Sequence, residues 1–551
     1  MDVFGLADRL TEAFCALRPT DATMWGVVGF DDSWGDWSPA GWEAIADLMC
    51  EALNDVDALP PTEDRWEAVG RRVVKEFAAT WIEQIDQREH LRDINNIASP
   101  VQEIRSVFEV QPKASSEDWQ ALISRLVSSS EPVAGLIASL EEGRQQGLVA
   151  ARRQVDACIR QLEVNSSDSS PFSGLLTEFD SADLGAEDLR WRLVAGIEQA
   201  QSASEELSAY LRLTYRPAAS ERDAVGRDRY LKLVQPFLGS SLDPEATYAW
   251  GWQEIERLWE RAASLAQLIV PGATVAEAIS VLKTDPGRAA HSPDEFVALM
   301  KERQAQALED LAGTHFDVPD VVRQVDVQVA PAGGALGAHY HGPSEDFSRP
   351  GTVWYSLGSK TTIPLYAEIS TAYHEGFPGH HLQTGIQMSL SDHLTRLHRT
   401  LAWRSGYGEG WALYAEGLMD ELGYFEKPDY ELGLVASQLL RACRIVIDIG
   451  MHLDLGIESD IVAGDRWTFE KAVSLLRSHA FLERDYAESE VTRYLGWPGQ
   501  AISYKLGEQT IIDLRQARSR DGDFDLKAFH GDVLGSGPVG LDHLREIVLG
   551  G

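Results

Sequence analysis

Apolar residues recur at helical spacing through most of the chain, and this periodicity constrains the fold more than any other feature. From residue 1 to about 320 the pattern is helical, as in 66–85 and 246–268, with punctuation at Ser99-Pro100, in the serine-rich 165–173 and at Pro271-Gly272. The stretch from about 324 to 366 differs. Residues 325–329 alternate, Gly333, Gly334 and Gly337 cluster, and 352–357 is rich in β formers, which predicts a small sheet. Helical patterning resumes after 366 and is broken at Pro428, Gly464 and Trp497-Pro498-Gly499. No low-complexity linker separates independent units. The expectation is a mainly α fold in one domain, 1–551, with a helical lobe over about 1–320, the sheet over about 324–366 and further helices over about 367–551.

Composition narrows the partners. Of 551 residues 44% are hydrophobic, enough for a large core, and 86 acidic side chains face 49 basic ones for a formal charge of -37. Such a surface repels phosphate backbones and anionic lipid, so neither nucleic acid nor a membrane is an expected partner. Apolar segments are interrupted by charge before the roughly 18 to 20 residues that a membrane span needs. The amino terminus carries Asp2, Asp8 and Glu12 where a secretory signal needs a basic start and an unbroken apolar run, so the expected location is cytoplasmic. Cys15, Cys50, Cys158 and Cys443 are scattered, as suits reduced cysteines rather than a metal cluster.

Chemistry concentrates in residues 371–383, TAYHEGFPGHHLQ, which hold His374, Glu375, His380 and His381. Zinc hydrolases combine neutral imidazoles, a carboxylate ligand and a second carboxylate that takes a proton from water. The usual helical solution, HExxH, sets two histidines four apart on one face. Here Pro378 occupies that position, and the next histidines stand six and seven residues on. An undistorted helix favours His381, about 10.5 Å along the axis from His374. A bulge at Pro378 and Gly379 presents His380 instead. Either histidine remains open as the second ligand.

Two further segments supply partners. In GEGWALYAE, Glu409 and Glu416 lie seven apart on one helical face, so one can bind metal while the other accepts the N–H of a ligating imidazole. In RYLGWPGQAISYKL, the Tyr504 hydroxyl suits a developing oxyanion, and Arg493 or Lys505 suits a substrate carboxylate. Upstream, the glycine-rich PAGGALGAHYHGPS would let a peptide approach an exposed strand at His339 and Tyr340.

The strings HEGFPGHHLQ, EGWALYAE and RYLGWPGQAISYKLGE, in this order, resemble a bacterial family, domain of unknown function 885, regarded as zinc-peptidase-like. More distantly the layout is similar to helical gluzincin peptidases such as angiotensin-converting enzyme and thimet oligopeptidase. That resemblance implies a two-lobed helical fold with a substrate cleft and a small sheet beside the metal-binding helix. It implies one zinc ion held by His374, Glu409 and, through the Gly379-His380 pair, His380. It also implies Glu416 behind the ligands, Glu375 as base and Tyr504 at the transition state. The expected activity is a metallopeptidase acting on short peptides. A hydrolase of a non-peptide amide or ester, and an inactive metal-bound binding protein, are the rivals.

Overall fold

Local capping chemistry begins the helices that the periodicity predicts. Ser292 accepts the N–H of Glu295 at 3.1 Å to start Pro293–Leu311, and Pro293 occupies the first turn, where its missing N–H would have had no partner. The computed structural model describes residues 2–330, 337–457, 459–520, 522 and 524–550. Gly333 and Gly334, expected in a glycine-rich turn, lie outside the described residues. The fold is mainly helical, as expected, and none of the described helices is long and apolar enough to cross a membrane.

The chain divides into two units, Met1–Asp223 with Asp392–Ala402, and Ala224–Ser391 with Trp403–Gly551. The division falls at Asp223, inside the stretch expected to form one helical array up to about 320. The first unit is helical around a core that includes Trp34, Trp37, Trp119 and Leu193. Within it Arg125 is fully buried, and its guanidinium donates to the carbonyls of Phe30 and Ser33, to Gln111 and to Thr23. Those four acceptors offset the loss of water around the charge.

The second unit is built on Pro428–His452, a 25-residue helix buried on nearly every face, which packs along Pro244–Ile269. Val435, Leu439, Ile445 and Val446 are fully buried there, and each such side chain contributes about 1.5–3 kcal/mol. The expected sheet is present. Gly351–Tyr355 is its central strand, parallel to Val325–Val329 and antiparallel to His339–His341. A two-residue strand, Ala289–Ala290, pairs with Ile363–Pro364 in a second small sheet that the sequence pattern does not reveal.

Candidate metal centre

Every candidate site residue falls in the second unit. His374 lies in the last turn of Glu368–Glu375, and His380 opens the next helix, His380–Ser389. The break replaces the bulge expected within a single helix. Gln304 clamps it from the side, donating to the Ala372 carbonyl at 2.6 Å and accepting the Phe377 N–H at 2.5 Å. Trp411 donates to the Pro378 carbonyl at 2.9 Å. Gly379 lets the link fold back on the helix it leaves, since a Cβ there would stand 2.0 Å from the His374 carbonyl oxygen. Only glycine fits such an approach. The fold-back brings His380 to His374, with ring centroids 4.9 Å apart and planes at 85°.

Glu409 comes from Ser405–Glu421 and completes a cluster whose three ligand atoms lie within 4.8 Å of one another. Its Oε2 is 3.4 Å from Nε2 of His374 and 3.4 Å from Nε2 of His380. That oxygen is buried and has no hydrogen-bond partner among the described residues. Zinc bonds of about 2.0–2.1 Å in a tetrahedron set ligand atoms about 3.4 Å apart, the separation of the Glu409 oxygen from each imidazole nitrogen, so two nitrogens and one oxygen suit such an ion as three ligands with a fourth position to spare. The four cysteines are free and none belongs to the cluster.

Behind the cluster, His374 Nδ1 donates to Glu416 Oε1 at 2.7 Å, and the Ser370 hydroxyl donates to the other Glu416 oxygen. This bond fixes the ring and turns Nε2 toward the cluster. Burial lowers the proton affinity of His374, but Glu409 and Glu416 outweigh it and raise its pKa to about 10 in the metal-free chain. Burial would raise both carboxylates, yet the two facing imidazoles hold Glu409 well below, and the hydrogen bond from His374 holds Glu416 below, the ordinary range. Both therefore stay ionised at neutral pH. Replacing Glu416 by Gln is expected to weaken zinc binding by about 10- to 100-fold, measured by competition with a chelator of known affinity.

Glu375 follows His374 and is only partly exposed. Burial raises its pKa, with Glu409 adding to the rise and the two imidazoles and Arg441 opposing it. Tyr504 lies on Ser503–Ser519, which approaches the Glu409 helix through glycines; a Cβ on Gly410 would be 2.5 Å from Gly507 Cα. Burial and the nearby Glu409 charge push the phenol up to about 12, so it remains a donor at neutral pH.

Several expectations are corrected by these positions. His381 is not a ligand candidate, because Nε2 donates to the Val322 carbonyl at 2.7 Å and Nδ1 meets the Tyr340 hydroxyl at 3.0 Å. Burial lowers its pKa to about 4, so the ring is neutral and both nitrogens are occupied. Tyr340 accordingly holds His381 rather than a substrate. Lys505 is buried between Glu508 at 2.6 Å and Glu254 at 3.0 Å, and donates to Gln438 at 2.7 Å. Arg493 is buried on Glu490 at 3.0 Å and donates to Gln500. Neither cation is free to take a substrate carboxylate. His339 stays on the outer strand of the sheet, its ring 4.9 Å from His341, and burial lowers its pKa. Ser370, Gln304, Arg441 and Arg444 escape sequence reading; only the spacing of 441 and 444 on one helical face hints at the last two.

Comparison with known proteins gives a family and a fold. A bacterial family described as "Bacterial protein of unknown function (DUF885)" matches residues 19–548. No curated protein matches the chain. A solved structure described as a putative lipoprotein from Colwellia psychrerythraea has 24% identity and a TM-score of 0.86, over 100% of this chain and 98% of that one. Another, a putative lipoprotein of unknown function from Shewanella oneidensis, has 17% identity and a TM-score of 0.74 over 100% of both chains. At these identities the likeness establishes the fold alone. Both neighbours are described as lipoproteins, and on that finding the expected cytoplasmic location does not stand.

Proposed function

The chain belongs to the bacterial DUF885 family, and we propose that it is a zinc-dependent hydrolase cleaving amide bonds of short peptides. The observation that carries this reading is the meeting of His374 Nε2, His380 Nε2 and the unpartnered Glu409 Oε2, beside a carboxylate that is not part of the cluster. A zinc ion held by these three residues supplies Lewis-acid activation of water and of a carbonyl at neutral pH. Glu375 then serves as the base that accepts a proton from the attacking water and later gives it to the leaving amine. The Tyr504 hydroxyl donates to the carbonyl oxygen as negative charge develops there. Glu416 keeps the His374 ring in the tautomer and orientation that this arrangement needs.

The direct test is to load the purified chain with zinc, measure metal per chain and assay a peptide library before and after chelation. One zinc per chain and hydrolysis lost on chelation are expected. Absence of stoichiometric divalent metal overturns the reading, and full activity in the metal-free chain does so equally. Tyr504→Phe separates transition-state stabilisation from binding. It should keep its zinc and its melting curve while kcat falls by about 10² to 10³, as for loss of one oxyanion donor. An unchanged kcat would remove Tyr504 from the reaction.

A further inference from the structure

We propose that Arg444, flanked by Arg441, receives a substrate carboxylate, so that the favoured substrates are short peptides with a free C-terminal carboxylate. The inference rests on the metallopeptidase reading for the scissile bond and adds the end of the substrate that the protein grips.

Both arginines lie three apart on one face of Pro428–His452, the helix that packs against the His374 helix. The Arg444 side chain is 8% exposed. Its Nε and Nη2 both donate to Glu490 Oε2, at 3.3 and 2.8 Å. A guanidinium is planar and rigid, so the edge engaged on Glu490 turns Nη1 away from it. Nη1 is buried and has no hydrogen-bond partner among the described residues. The guanidinium carbon stands 4.7 Å from the centre of the Tyr504 ring, so the group packs over the phenol assigned to the oxyanion.

Local charge points the same way. Glu490 is shared, because Arg493 binds it through Nε at 3.0 Å and Nη2 at 3.0 Å. Two guanidiniums on one carboxylate leave a surplus positive charge in a buried place. Arg441 donates to the Ser437 carbonyl at 3.2 Å and to its hydroxyl, and its Nε is buried without a partner among the described residues. Two arginines therefore share one glutamate, and Arg441 stands one turn away on the same helix in the field of Glu375 and Glu416. A buried unpaired cation is unfavourable unless something offsets its lost hydration. A carboxylate would do so, since it brings two oxygens to donors that have no acceptor. Tyr486, 36% exposed, lies in the field of Arg441, Arg444 and Arg493.

The test uses N-acetylphenylalanine and N-acetylphenylalanine amide as probes, titrated by calorimetry into the full chain with and without zinc. The acid should bind about 10- to 100-fold more tightly than the amide, as for loss of a hydrogen bond to a charged group. The preference should persist without zinc, which excludes ligation of the metal as its source, and Arg444→Gln should remove it while zinc content is unchanged. Arg444→Lys should restore part of it. Equal binding of acid and amide by the unsubstituted chain overturns the proposal, as does a preference that survives in Arg444→Gln or vanishes with the zinc. If Arg444→Gln does not fold, the comparison in the unsubstituted chain decides together with Arg441→Gln, which should weaken the acid alone. Should the acid preference stand while the zinc-loaded chain hydrolyses no peptide, the metallopeptidase reading fails and the carboxylate site survives it.

Discussion

Glu375→Gln is expected to keep one zinc per chain and an unchanged melting curve while peptide turnover falls on the order of 10² to 10⁴, the range for a positioned general base. The argument is one of position. Glu375 adjoins His374 in sequence, yet the three atoms that converge belong to His374, His380 and Glu409. Burial and the charge of Glu409 raise its proton affinity, and the two imidazoles and Arg441 oppose them, so the net effect is a carboxylate that holds a proton more readily than an exposed one. Glutamine has the same shape and cannot take that proton. Metal content and stopped-assay rates measured on one preparation decide the matter. A variant without zinc makes Glu375 a ligand; one with zinc and full activity places the base elsewhere.

What the sequence reveals here depends on how local the cause is. Helices and the small sheet follow from periodicities of 3.6 and 2, which depend on neighbouring residues only, and both are present. Glu409 and Glu416 share a face for the same reason, and one meets the cluster while the other holds His374 from behind. The choice between His380 and His381 is different. It turns on whether the backbone folds back at Gly379 onto the carbonyls of Tyr373 and His374, a contact in three dimensions that no spacing rule encodes. Arg493 and Lys505 mislead for a similar reason. Their pairing with Glu490, Glu508 and Glu254 is settled by helix packing, so each reads as an available cation until its partners are in place. The division of the chain at Asp223 leaves no mark in composition either, because helical patterning runs through it without a linker.

The two histidines give the other large expected effect. His380→Ala should abolish stoichiometric zinc, a greater loss than the roughly 10- to 100-fold expected when Glu416 is changed. His381→Ala should keep the zinc, because that ring is spent on Val322 and Tyr340. Its cost should appear in stability, where two buried hydrogen bonds are lost and the Tyr340 hydroxyl is left without its acceptor. Acidity provides an independent check. In the metal-free chain the His374 pKa is raised to about 10, since Glu409 and Glu416 outweigh burial, so at neutral pH zinc must displace a proton from Nε2. A raised pKa means that the proton is favoured below that value. Zinc affinity should therefore rise about tenfold per pH unit between pH 7 and 9, with about one proton released per ion bound. Calorimetry in buffers of different ionisation enthalpy counts that proton. In His381→Ala the slope and the proton count should be unchanged. A zinc-free His381→Ala beside a zinc-loaded His380→Ala would mean that the break at Gly379 presents the other histidine to the metal.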